Sequence, residues 1–154
     1  MTQLSIFSKN EHISENWKAA LCELRNLGYS IRVEGDNIRL IYHGKDEPQT
    51  IRVASLINTL KVHKMEILND PYFLTTETID RISEVWEPST LAWMKQARPV
   101  EWQEMLFLEK KIDQYTLQAD SNSLKKALRE YLTLMVSVAR DFHLVAKRGN
   151  SYGR

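Results

Sequence analysis

The side chains that could do chemistry are few and scattered. The four histidines are His12, His43, His63 and His143, and none stands with another residue at the spacing of a metal-ligand set. Cys22 is the only cysteine. It sits beside an apolar helical stripe, with no neighbouring base to make it a thiolate. Neither a disulfide nor a thiolate zinc site follows from one cysteine. Glu84 with Glu87, and Glu101 with Glu104, are carboxylates three residues apart. That spacing suits a solvated helix face better than an acid–base dyad. The five glycines are dispersed, so no phosphate-cradling loop is written, and no nucleophile elbow occurs. These residues predict no enzyme, no catalytic residue, no metal and no cofactor.

Binding chemistry is better placed. Ser30 to Val33 and Ile38 to Tyr42 are two stretches rich in β-branched residues that alternate in polarity. The turn chemistry Glu34-Gly35-Asp36-Asn37 separates them. A hairpin on that turn sets Val33 against Ile38 and Ile31 against Leu40, so these four share an apolar face. The other face carries Arg32 directly across from Arg39, a mildly unfavourable pairing unless Glu34 or solvent relieves it. The open edge of Ile38 to Tyr42 contains no proline and is a template for an incoming strand. The partner-binding residues expected on this basis are Arg32, Ile38, Arg39, Leu40, Ile41 and Tyr42.

Helices must hold that hairpin, because two strands alone are marginal. Ser8 to Glu11 and Ser14 are competing N-cap signals. Ile13, Trp17, Ala20, Leu21, Leu24 and Leu27 then step by threes and fours towards Gly28, a C-terminal cap. Beyond a loop at His43 to Pro48, Thr50 is a cap. Val53, Leu56, Ile57 and Leu60 keep helical spacing, with a bend near Val62-His63-Lys64 before Ile67 and Leu68. Asn69-Asp70-Pro71 ends the unit.

The order of these pieces resembles a known module. Leu24-Arg25-Asn26-Leu27-Gly28, Val33-Glu34-Gly35-Asp36, Ile38-Arg39-Leu40 and Leu60-Lys61-Val62-His63-Lys64-Met65-Glu66-Ile67-Leu68 resemble the TubC-like N-terminal docking domain of nonribosomal peptide and polyketide synthetases. The resemblance covers residues about 14–70. It implies a small α-β-β-α fold, often dimeric, that takes a short peptide as an added strand along Ile38 to Tyr42. Arg32 and Arg39 would then set the charge of the partner. A synthetase would continue into catalytic domains, whereas residues 71–154 read as helical, so docking is the expectation carried over and synthesis is not.

The rest of the chain reads as a helical extension. Pro71 to Thr76 is expected as a linker, followed by a short helix on Ile79, Ile82, Val85 and Trp86. Pro88 interrupts, and Ser89 begins a segment with Leu91, Trp93 and Met94. From Pro99, Met105, Leu108, Ile112, Tyr115 and Ala119 form one stripe. After the loop and N-cap at Asp120 to Ser123, Leu124, Leu128, Tyr131, Met135, Val138, Phe142 and Val145 form another. Such stripes predict an antiparallel helical hairpin whose seam packs internally or on a partner.

The fold class expected is α+β, mostly helical. Its segments are a docking-like module at 1–70, short helices and linker at 71–98, a helical hairpin at 99–148, and a flexible tail at 149–154. Net charge is +1 from 21 basic and 20 acidic residues in 154, which does not favour wholesale phosphate binding. No apolar run approaches a bilayer span, and the N-terminus lacks the pattern of a signal peptide. A cytoplasmic, bacterial setting with no membrane partner is expected. The leading expectation is a stand-alone adaptor for an extended acidic peptide. One alternative is a nucleic-acid-associated accessory subunit of a mobile-element or defence complex. A third is a helical oligomerisation scaffold, and a homodimer stays open. A second interface is expected among Trp93, Lys110, Lys111, Lys147 and Arg148.

Overall fold

The computed structural model describes residues 16–47 and 50–152, with side chains to residue 148. The N-cap signals at Ser8 to Glu11 and Ser14, and Ile13 of the first stripe, lie outside the described residues. The fold is mostly helical α+β, with one antiparallel hairpin and seven helices among the described residues. The chain falls into two compact units, Met1–Asn69 and Asp70–Arg154. No helix among the described residues is long and apolar enough to cross a membrane.

In the first unit, helix α1 covers residues 16–26. Trp17, Ala20, Leu21 and Leu24 are buried at the spacing of one helical face. Gly28 stops the helix at φ 101°, a conformation that side chains resist. Strands β1, Tyr29–Glu34, and β2, Asn37–Tyr42, pair antiparallel. Their register places Val33 against Ile38, Ile31 against Leu40 and Arg32 against Arg39, as the turn residues predict. Only Gly35 and Asp36 form the loop. Gly35 has φ 61° and Asp36 stays at negative φ, the pattern of a II′ turn with glycine first. Helix α2, Thr50–Val62, and helix α3, Lys64–Asn69, meet at the expected bend. Val53, Leu56, Leu60, Ile67 and Leu68 complete the core with Ile31. A two-pronged ion pair from Arg52 to Glu23, at 2.6 and 2.7 Å, ties α2 to α1. It holds the Arg52 pKa above its ordinary value, through the hydrogen bond first and the charge second.

The second unit is all helix: α4, Pro71–Val85; α5, Pro88–Ala97; α6, Pro99–Leu117; and α7, Ser121–Tyr152. Pro71–Thr76, expected as a linker, is instead the opening of α4. Asp70 is its N-cap and accepts from the Phe73 N–H at 2.8 Å, while Pro71 occupies the first helical position, where its missing N–H costs nothing. The inward face also differs from the one expected. Phe73, Leu74, Glu77, Thr78 and Ile82 point inward, and Ile79 and Val85 are exposed. The buried Glu77 carboxylate is held by Arg81 one turn on.

Proline also opens α5 and α6, and Glu87 with Thr90 forms a capping box at α5. Thr90 and Met94 are buried there, and the expected Leu91 is exposed. Ala119 is outside the α6 stripe. It takes φ 53°, and bonds from Ala119 N–H to Thr116 O (3.2 Å) and Asp120 N–H to Tyr115 O (3.0 Å) close the helix as a Schellman motif. Asp120 then caps α7, accepting from the Ser123 N–H at 3.2 Å.

Helix α7 packs on α4, α5 and α6, so the hairpin seam is one side of a bundle. Ile82, Met94, Met105, Met135 and Val138 form its core, with Trp86, Trp93, Trp102 and Tyr131 packed around it. Thioether sulfur and indole rings suit one another in such irregular space. Val145 is exposed, so the apolar seam ends before it. The helix itself continues past residue 148 to Tyr152.

Candidate docking groove beside strand β2

Which backbone groups of β2 are spoken for follows from the register. His43 N–H donates to Gly28 O at 2.8 Å, so that pair is a hydrogen-bonded one. Such pairs alternate in an antiparallel ladder. In this register Ser30/Ile41, Arg32/Arg39 and Glu34/Asn37 are the bonded pairs. Ile38, Leu40 and Tyr42 therefore turn their N–H and C=O groups away from β1. The sheet has two strands among the described residues, and no third strand meets those groups.

Those three residues also send their side chains to the apolar face. There Ile38 and Leu40 meet Ile57 and Leu60 of α2 around a groove of about 210 Å³. Lys61, Lys64 and Asn37 complete its wall, and Lys64 Nζ donates to Asn37 Oδ1 at 2.9 Å. Tyr42 closes the far end of the strand. Its ring lies 5.0 Å from that of Tyr29, and its hydroxyl donates to Asp46 O at 2.7 Å. Gly44 is required beside it, since a Cβ there would fall on the Tyr42 ring and hydroxyl.

The expected partner-binding set is thus divided between two faces. Ile38 and Leu40 border the groove, and Tyr42 shares their face beyond its end. Arg32, Arg39 and Ile41 occupy the opposite face. The opposed arginines are relieved locally: Arg39 pairs with Glu34 at 2.9 Å, and an Arg32 guanidinium N–H donates to Ile31 O at 3.2 Å. Lys61 and Lys64 are the residues that sequence reasoning missed. Their signal was the step Ile57, Lys61, Lys64, which keeps one helical face across the bend.

The second set expected from sequence lies in the helical unit and is dispersed. Trp93 is half-buried, 5.6 Å from Phe142, with the Arg98 guanidinium 5.6 Å from its ring. Arg98 also reaches Asp141 at 3.2 Å, so this cluster fastens the α5–α6 junction to α7. Lys110 and Lys111 are on α6, the latter 4.5 Å above the Phe107 ring. Lys147 lines an open groove of about 580 Å³ at the end of α4 with His143 and Arg140. His143 is anchored there, with Nε2 3.0 Å from Val85 O. Tyr131 donates to Glu109 at 2.9 Å, and burial, more than that bond, pushes its pKa up. Among the described residues no three His, Cys, Asp or Glu side chains come together to hold a metal. The chain matches no protein-family model, no curated protein sequence and no solved structure.

Proposed function

We propose that the first unit is a docking module that takes a short extended acidic peptide as a strand added to β2. The observation that carries this reading is the coincidence of two features on one edge. The outward N–H and C=O groups of Ile38, Leu40 and Tyr42 supply main-chain hydrogen bonds. The groove beside them supplies apolar contact through Ile57 and Leu60, and positive charge through Lys61 and Lys64. Strand addition works by this division, with backbone giving affinity and alternate side chains giving specificity. A peptide alternating apolar and polar residues sets its apolar side chains into the groove. One acidic residue in the same groove-facing register meets the two lysines, and acidic residues at the intervening positions lie on the face of Arg39. The sequence resemblance to synthetase docking domains points to the same strand and supports an adaptor role.

The test uses a fluorescein-labelled peptide with leucines and one glutamate at its alternate, groove-facing positions and serine between them, and a control in which lysine replaces the glutamate. Anisotropy titration is expected to show binding of the acidic peptide only. Lys61→Glu with Lys64→Glu is expected to weaken it about tenfold or more, and Arg32→Glu with Arg39→Glu to weaken it less. Leu40→Pro separates edge from fold. The Leu40 N–H is unused by β1, so proline there spares the ladder and blocks the added strand. Equal binding of both peptides, or undiminished binding by a folded Leu40→Pro variant, would overturn the reading.

A further inference from the structure

We propose that the outward face of α6 is a self-association surface, through which two copies of this chain pair with their α6 helices antiparallel. That face belongs to the second unit and shares no residue with the β2 groove.

Helix α6 buries Met105, Leu108 and Ile112. The opposite side should then be polar throughout, but it carries large exposed apolar residues. Val100 is 75% exposed, Phe107 57% and Leu117 89%. These residues belong to a regular series, Val100, Gln103, Phe107, Lys110, Gln114, Leu117, which alternates steps of three and four. That is the spacing of a coiled-coil seam. Polar residues at half of its positions weaken it and also specify its register.

The series reads alike from either end: apolar, glutamine, a central Phe–Lys couple, glutamine, apolar. A two-fold axis needs this property, since each contact must occur twice with the roles exchanged. An unrelated partner places no such demand on the sequence. Antiparallel pairing about the middle of the helix sets Val100 against the partner's Leu117. Gln103 meets the partner's Gln114, where the two amides exchange hydrogen bonds. Phe107 meets the partner's Lys110. Lys111 of the same chain already lies 4.5 Å from the Phe107 centroid, so this ring is in use as a cation platform. Its second face is what the partner's Lys110 would cover.

The flanks agree in charge. In this register the residues beside the seam at one level are Glu104 and the partner's Lys111, and two-fold symmetry repeats the pair. Opposite charges are therefore brought together twice, and they partly offset the lysines gathered near the axis. Edge charges of this kind set orientation and partner choice in coiled coils.

The experiment measures association of the full-length chain by sedimentation equilibrium and light scattering. Wild type is expected to dimerise reversibly. Glu104→Lys alone, and Lys111→Glu alone, are each expected to weaken the dimer about tenfold, while the two together restore it. All of these positions are on the helix surface, and circular dichroism reports whether the variants keep their helix content. A second arm places Gln103→Cys and Gln114→Cys in a Cys22→Ser chain. Within one helix those positions are about 16 Å apart along the axis, out of reach of each other. Mild oxidation is expected to give a covalent dimer through the Cys at 103 of one copy and the Cys at 114 of the other. A wild-type monomer up to millimolar concentration would overturn the proposal. So would a dimer indifferent to both charge reversals, which would place the interface on another face.

Discussion

The two units solve the same problem in opposite ways. In the helical unit, the junctions satisfy backbone groups locally: Asp70 at α4, the Glu87–Thr90 box at α5, the Schellman turn at Ala119, and Asp120 at α7. What it presents to a partner is side chains. In the hairpin unit, β2 turns the polar groups of alternate residues outward, with no third strand among the described residues. It presents backbone. A backbone edge reads shape and extension, and it gains selectivity only from charges nearby, here Lys61 and Lys64. A helix face recognises a pattern of side chains, and the α6 series is such a pattern.

The largest effects test whether the two units hold their cores separately. Leu24 and Leu124 are both fully buried, one in each unit. Truncating either to alanine is expected to cost about 3 kcal/mol. Hydrogen exchange resolved by segment should distinguish them. Leu24→Ala is expected to speed exchange in β1 and β2 and leave α6 and α7 protected, and Leu124→Ala to do the reverse. Loss of protection throughout the chain in either variant would break the comparison, because the units would then unfold as one.

Legibility in the sequence also divides along this line. The hairpin register was readable to the residue, because few two-residue turns ask for glycine first and the alternation fixes which faces meet. The stripe of α1 was readable for the same reason: Trp17 to Leu24 has one consistent period, closed by Gly28. Helix α4 begins before the sequence pattern shows it. Asp70-Pro71 terminates one element and begins the next, and proline's bias against a preceding helix conceals its suitability for a first turn. The buried Glu77 then hid the inward face, since a carboxylate argues for solvent until its arginine is placed. The open edge was expected, but the groove was not. A groove arises where two elements distant in sequence meet, and Ile57, Lys61 and Lys64 carry no mark that β2 lies beside them.

A smaller effect sharpens the contrast in turn chemistry. Both units use a residue at positive φ, Gly35 in the hairpin and Ala119 after α6. Glycine pays no steric penalty there, whereas a Cβ costs about 1 kcal/mol. Ala119→Gly is expected to stabilise the chain by roughly that amount, read as a higher urea midpoint at constant slope. Gly35→Ala, in open space, is expected to lose a similar amount. A destabilising Ala119→Gly would mean that the gain in helix-cap geometry is smaller than the added freedom of the unfolded chain.

The smallest effect concerns Asp120, the cap that joins the two longest helices. Its carboxylate is held below the ordinary range, first by the hydrogen bond from the Ser123 hydroxyl and then by that from the Ser123 N–H, with burial opposing weakly. A group whose pKa is lower folded than unfolded contributes stability above its unfolded value, about 3.9, and loses it as pH falls through the folded value. The cap should therefore support α7 fully at neutral pH and weaken below pH about 4. Asp120→Asn keeps an oxygen that can accept from Ser123 but carries no charge, so its contribution should not titrate. Urea midpoints of the two proteins are expected to differ at pH about 6, and the difference is expected to shrink as pH falls below about 4. A constant difference across that interval would show that the cap acts through shape alone, and the helical unit would then owe its closed junctions to hydrogen-bond geometry rather than charge.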